Sequence, residues 1–302
     1  MKHDPWRRDP AAYRWRGTLE PRWSDVDLLR HLNNSSLQGL HLEARMRLLS
    51  ATIGDAFWRA RGPRLVTGHL QTDFLAQAHY PQPLQGAARL TALDGSRLTV
   101  ATALWQDGRC VGLQTARLFA IERHRPVPMP ADWQRALGAA EALPAPDQPP
   151  PHATPPAPAA WPHRRTLDTR FADLDATGRV AELALMRGAE VGRGGPLRDA
   201  FAALDGTDAG SRLGTMVARL DLQRLHHGPP PAVWQLTAGI THIGRSSVVV
   251  RVGFFDGDAC QALADCVQVV VDRAAGTPVP MPAPLRERFE SQRLPGHGGT
   301  AP

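Results

Sequence analysis

The chain repeats itself at domain length, and this constrains its fold more than any other feature. Arg22–Asp27 reads R-W-S-D-V-D, and Arg170–Asp175 reads R-F-A-D-L-D, an offset of 148. Arg89–Val100 falls against Gly239–Val250 at an offset of 150, and P-V-P-M-P recurs at Pro126–Pro130 and Pro278–Pro282 at 152. Three matches in one order with a slowly drifting offset mark a duplication with small loop insertions. Between Leu143 and Pro162 lies L-P-A-P-D-Q-P-P-P-H-A-T-P-P-A-P-A-A-W-P, too dense in proline for a helix or a central strand, and so a linker. The expected plan is an N-terminal domain over 1–135, a linker over 136–162, a C-terminal domain over 163–292 and a flexible tail over 293–302. With 302 residues, each copy has enough chain to bury a core.

The two copies share one order of elements. A strand (Tyr13–Trp23; Arg165–Phe171) runs into an Asp-x-Asp turn. In the first copy a helix over Ser35–Ile53 follows, with Asn33 or Asn34 as its N-cap and Leu37, Leu40, Ala44 and Leu48 at helical spacing, bordered by His41. Strand-like runs come next: Arg64–Phe74, Gln85–Leu93, Leu98–Gln106 and Val111–Ile121. Their counterparts are Thr215–Leu225, Ala232–Ile243, Ser246–Phe255 and Ala259–Val271. Asp94-Gly95, Asp107-Gly108 and Asp256-Gly257 are hairpin turns. One strand, one helix and an antiparallel meander pack most simply as a sheet wrapped around the helix, an α+β domain.

Composition removes several function classes. No apolar run approaches the roughly 20 residues of a membrane span, and Met1–Arg16 has no apolar core of a secretory signal. The formal charge of +6 comes from arginine dispersed along the chain, without the basic block or aromatic motif of a nucleic-acid binder. It suits a phosphate-bearing small molecule or an acidic carrier protein, or is simply the bias of an Arg-, Ala- and Pro-rich composition. Three cysteines without C-x-x-C spacing fit neither a disulfide framework nor a zinc site, and place the chain in the cytosol. No metal or cofactor is expected. His226-His227 reads as a loop, and neither a nucleophile elbow nor a Gly-rich phosphate loop is present.

Chemistry concentrates in Arg22–Arg45. Asp25, Asp27, His31, Asn33 and Asn34 crowd against a helix start, where backbone N–H groups and the helix dipole favour an oxyanion. A carboxylate and an imidazole at such a place suit polar chemistry on a carbonyl. Asp25 reads more simply as a brace of the turn, and Asn33 and Asn34 as caps first. Glu43 has two readings, a group in an acyl pocket or the i,i+4 partner of Arg47, of which the pair is the simpler. In the second copy His31, Asn33 and Asn34 give way to Arg179, Ala181 and Glu182.

The order of elements and the D-x-D-x-x-x-H-x-N-N turn resemble the hotdog-fold acyl-thioesterases of the 4-hydroxybenzoyl-CoA and acyl-CoA branch, and the tandem plan is similar to that of plant acyl-ACP thioesterases. Asp25, Asp27, His31, Asn33, Asn34, Glu43, Ala44 and Arg45 carry the resemblance, with Thr72–Leu75 and Ile243–Ser247 beside them. Leu29, Arg30 and Leu37 depart from the family pattern. The resemblance implies two tandem hotdog domains forming a pseudo-dimer within the chain, with further dimerisation open, and hydrolysis of an acyl-CoA or acyl-ACP thioester. It implies that Asp27 acts as base or nucleophile with His31, Asn33 and Asn34, and that Glu43 belongs to the acyl pocket. It also implies that copy two contributes His242, Arg245, Ser246 and Ser247 to bind pantetheine and phosphate, and that the mirror site at Asp175 is inactive. Two other readings compete: a non-catalytic acyl-thioester binder with decayed sites, and a hotdog dehydratase or hydratase.

Overall fold

The structure, a computed structural model, describes residues 4–59, 62–138 and 154–296. They gather into two compact units. Unit 1 comprises the described part of Met1–Pro150 together with Asp175–Leu183 and His227–Pro229; unit 2 comprises the rest. Most of the proline-rich linker, residues 139–153, lies outside the described residues.

Unit 1 opens with β1 (Trp15–Leu19), then helix α1 (Asn34–Ile53) and a single turn, α2 (Ala56–Arg59). The meander is β2 (Arg64–Phe74), β3 (Leu84–Leu93), β4 (Arg97–Gln106) and β5 (Arg109–Glu122), followed by the short β6 (Arg125–Pro126) and helix α3 (Ala131–Gly138). Its strands are antiparallel in the order β1-β3-β4-β5-β2, with β6 on β5. Helix α1 packs against β1, β3 and β4. Unit 2 contains β7 (His163–Asp168), most of helix α4 (Glu182–Phe201), α5 (Asp208–Arg212), β8 (Leu213–Arg224), β9 (Val233–Ile243), β10 (Ser247–Asp256), β11 (Ala259–Asp272) and α6 (Ala283–Glu290). Its order is β7-β9-β10-β11-β8, strand for strand that of unit 1.

The duplication extends to the irregularities of the sheets. A bulge leaves Gly68, Thr91 and Val111 out of register in unit 1, and Ala218, Thr241 and Gln261 in unit 2, each 150 residues on. Thr91 donates its hydroxyl to the carbonyl of Thr99, and Thr241 donates to Val249 in the same way. Each unit is an α+β hotdog domain, and the chain carries two in tandem.

Some boundaries differ from the sequence reading. The first strand is shorter than Tyr13–Trp23, because Trp23–Asp25 forms a 3₁₀ turn. Helix α3 runs to Gly138, past the expected domain end at 135. The tail begins inside the fold: Leu294 is buried and donates its amide to the carbonyl of Ile240, whose own amide donates to Gln292.

Candidate active site

The D-x-D turn folds by satisfying its own polar groups. The amide of Asp27 donates to the carbonyl of His31, and that of Arg30 to Asp27, closing a tight loop. Oδ1 of Asp27 accepts the amide of Leu29 at 2.8 Å, an Asx turn. Val26 and Leu32 bridge across the base of the loop. Asp25 accepts the amide of Arg22 at 2.7 Å and so braces the turn. The loop closes on the helix: the amide of Asn33 donates to the carbonyl of Asp25 at 2.7 Å.

Asp27 and His31 are thereby brought together. Nδ1 of His31 lies 3.5 Å from Oδ2 of Asp27, both side chains being mostly buried. Asn33 is the N-cap of α1, its Oδ1 accepting the amide and hydroxyl of Ser35 at 2.7 and 2.6 Å. Asn34 is the first helical residue. The four residues named at the sequence level thus share one turn and one helix start. Glu43 does not join them. It lies on the exposed face of α1, where Arg47 donates to it at 2.7 Å, so the ion-pair reading describes it and the acyl-pocket reading has no geometry.

The second copy keeps the turn and changes its chemistry. The amide of Asp175 donates to Arg179 and that of Gly178 to Asp175, as in copy one. Asp175 Oδ1 accepts from the amide and hydroxyl of Thr177 at 2.8 and 2.6 Å, and Arg179 stands where copy one has His31. In unit 2, His242 is the penultimate residue of β9, Gly244, Arg245 and Ser246 form the β9–β10 hairpin, and Ser247 opens β10. The carbonyls of Arg245 and Ser246 are held by the amides of Met281 and Val270, and the Arg245 side chain is exposed.

The three cysteines are free, and burial pushes the thiols of Cys260 and Cys266 up to about 12 and about 11, so neither supplies a thiolate at neutral pH. Among the described residues no cluster of three His, Cys, Asp or Glu side chains has metal-binding geometry, and no helix is long and apolar enough to cross a membrane.

Residues 21–137, which contain the turn, α1 and the whole meander, match the family profile of the thioesterase-like superfamily. The match lies wholly within the N-terminal copy. No curated protein matches the chain. Among solved structures, the chain resembles a 12:0-ACP thioesterase from Umbellularia californica (TM-score 0.67, 12% identity, covering 85% of this chain and 94% of that one). It also resembles a protein described as an oleoyl thioesterase from Lactobacillus plantarum (TM-score 0.65, 13% identity, 86% and 96% covered). A third is an acyl-ACP thioesterase from Bacteroides thetaiotaomicron (TM-score 0.62, 11% identity, 84% and 97% covered). At such identities the likeness is one of fold.

The interior of the N-terminal copy holds polar residues that the sequence reading did not assign to a site. Gln38, His41 and Arg45 lie on the buried face of α1. Gln38 Oε1 accepts from Thr72 Oγ1 at 2.8 Å and Gln114 Nε2 at 2.7 Å. Gln114 Oε1 accepts from Arg45 Nη1 at 2.9 Å, and Arg45 Nη2 donates to Glu182 at 2.6 Å. His41 Nδ1 is 2.8 Å from Thr102 Oγ1. The ring is fully buried, and desolvation with the charges of Arg45 and Arg7 holds its pKa down at about 3, so it is neutral. A comparison of the copies position by position carries the signal, since the second copy is apolar at most of these places.

Proposed function

We propose that the chain hydrolyses acyl thioesters of coenzyme A or acyl carrier protein, with one active site per tandem pair, at Asp27. The observation that carries this reading is the Asp27–His31 pair at the foot of an Asn33-capped helix. Asp27 takes a proton from water as the water oxygen attacks the thioester carbon. The carbonyl oxygen becomes an oxyanion facing the first-turn amides of α1, with His31 as a further donor. Collapse expels the thiolate, and the proton held by Asp27 returns to it. The products are free acid and thiol. Asn33 contributes by fixing the helix start, and Asn34 by its place in the first turn. The β9–β10 hairpin, with Arg245 between His242 and the serines, keeps its reading as the phosphate-binding element.

Free-thiol release over a range of acyl-CoA lengths and one acyl-ACP tests the assignment. Asp27→Asn is expected to lower kcat by about 10²- to 10⁴-fold, the range of a lost general base, while Asp175→Asn leaves it within about twofold. Equal loss in both variants rejects the single-site reading. Binding without turnover of any thioester points to the non-catalytic binder, and an enoyl product to the dehydratase.

A further inference from the structure

The two copies build the same fold around interiors that differ in polarity at five positions and share one arginine, Arg45 in the first copy and Arg193 in the second. In unit 1, Thr72, Gln114 and Thr102 are direct cross-strand neighbours on β2, β5 and β4, and α1 places Gln38 and His41 against them. In the same registers unit 2 has Leu222, Ala264 and Val252, and α4 has Met186 and Ala189 at the corresponding helix positions. Even the space is matched: His41 Nε2 would lie 2.8 Å from a Cβ on Gly112, and Ala262 stands at the equivalent place opposite the smaller Ala189. Unit 2 demonstrates that the fold closes with apolar residues here. Burying amides, a hydroxyl pair and an imidazole costs stability unless every group is bonded. Several are not: Gln38 Nε2, His41 Nε2, Arg45 Nε and Glu182 Oε1 are buried without a hydrogen-bond partner.

The sign of these groups defines the chemistry that would suit them. Gln38 Nε2 and Arg45 Nε are donors, as are the buried and unpartnered Nε and Nη2 of Arg7. Arg7 and Arg45 both place positive charge on the His41 ring, and Glu182 is a carboxylate bonded to Arg45. Gln38, His41 and Arg45 descend one face of α1 at about 6, 10 and 16 Å from its first residue. A chain entering at the Asn33-capped end meets them in that order.

Resting on the thioesterase reading, we propose that the interior of unit 1 receives the acyl part of the substrate and selects one with a second carboxylate over a plain hydrocarbon chain. The test uses the full chain and non-hydrolysable thioether analogues of succinyl-, adipoyl- and suberoyl-CoA. Butanoyl, hexanoyl and octanoyl analogues of equal length serve as references, and calorimetry gives the Kd. At one length or more the diacid analogue is expected to bind at least about tenfold more tightly than its partner. A variant carrying the second copy's residues (Gln38→Met, His41→Ala, Thr72→Leu, Thr102→Val, Gly112→Ala, Gln114→Ala) is expected to reverse the preference. The single change Arg7→Gln, which disturbs less of the core, is expected to reduce it at least threefold. Equal or weaker diacid binding at all three lengths, no binding of any analogue, or an unchanged preference in Arg7→Gln overturns the proposal. Hydrolysis of hexanoyl-CoA without diacid preference overturns it and leaves the thioesterase reading standing; diacid preference without hydrolysis of any thioester does the reverse.

Discussion

At the scale of single residues, two side chains hold states that the rest of the molecule imposes. His41 is neutral in the folded protein because burial and two guanidinium charges hold its pKa at about 3, whereas in the unfolded chain it titrates near 6.5. Above 6.5 both states are neutral and the residue adds no pH dependence. Below 6.5 the unfolded chain binds a proton that the folded one refuses, so stability falls until the pH reaches about 3. At pH 5 the loss is about 2 kcal/mol. Urea unfolding of the wild-type protein and His41→Ala at pH 7.5 and pH 5 measures this as a difference in slope; an unaltered slope in the variant assigns the acid sensitivity elsewhere. Arg30 is held at φ 65°, where the matching position of the second turn is Gly178 at φ 75°. The same loop with a side chain in the left-handed region is strained. Arg30→Gly is expected to raise stability by about 0.5–1 kcal/mol, the strain relieved less the backbone freedom that glycine restores to the unfolded chain. A lower urea midpoint contradicts this.

Between elements, the copies exchange volume across the helix–sheet contact. A Cβ on Gly192 of α4 would come within 2.5 Å of Val252, and one on Gly188 within 2.6 Å of Phe254. The corresponding residues of α1 are Ala44 and Leu40, and the positions matching Val252 and Phe254 hold the smaller Thr102 and Leu104. Gly192→Ala therefore overpacks unit 2, at an expected cost of about 1–3 kcal/mol, and Val252→Ala added to it recovers part of that. Additive losses in the double variant count against direct contact. This complementarity also explains what the sequence revealed. The meander was legible because Asp-Gly turns punctuate it, and β2 runs over the expected Arg64–Phe74. The helix start was legible to within one residue because Asn33 is a cap. The first strand was overextended because apolar alternation alone does not show that Trp23 enters a 3₁₀ turn. The buried network was not legible within one copy, since a glutamine and an arginine on a helix look like an exposed face, and His41 bordering the apolar stripe carries no sign of its partners. Only strand register brings Thr72, Gln114 and Thr102 side by side, and register is a property of the folded sheet.

For the molecule as a whole, the repeat boundary is not the boundary of the folded units. Asp175–Leu183 comes from the second copy but packs in unit 1. Its Glu182 bonds Arg45, a side chain 1% exposed. An arginine so placed without its carboxylate is an uncompensated buried charge, worth about 3–5 kcal/mol against folding. That is a large share of the 5–15 kcal/mol typical of whole domains. Residues 1–162 expressed alone contain the entire first copy and lack this partner, so they are expected to be far less stable than unit 1 in the full chain. Arg45→Met separates this cause from general loss of contacts. In the fragment it removes the unpaired charge and is expected to stabilise; in the full chain it strands Glu182 and is expected to destabilise. Chemical unfolding of the four proteins reads both signs. A change of the same sign in the fragment and the full chain contradicts the role given to Glu182. Opposite signs mean that the second copy is retained in part to neutralise a charge inside the first.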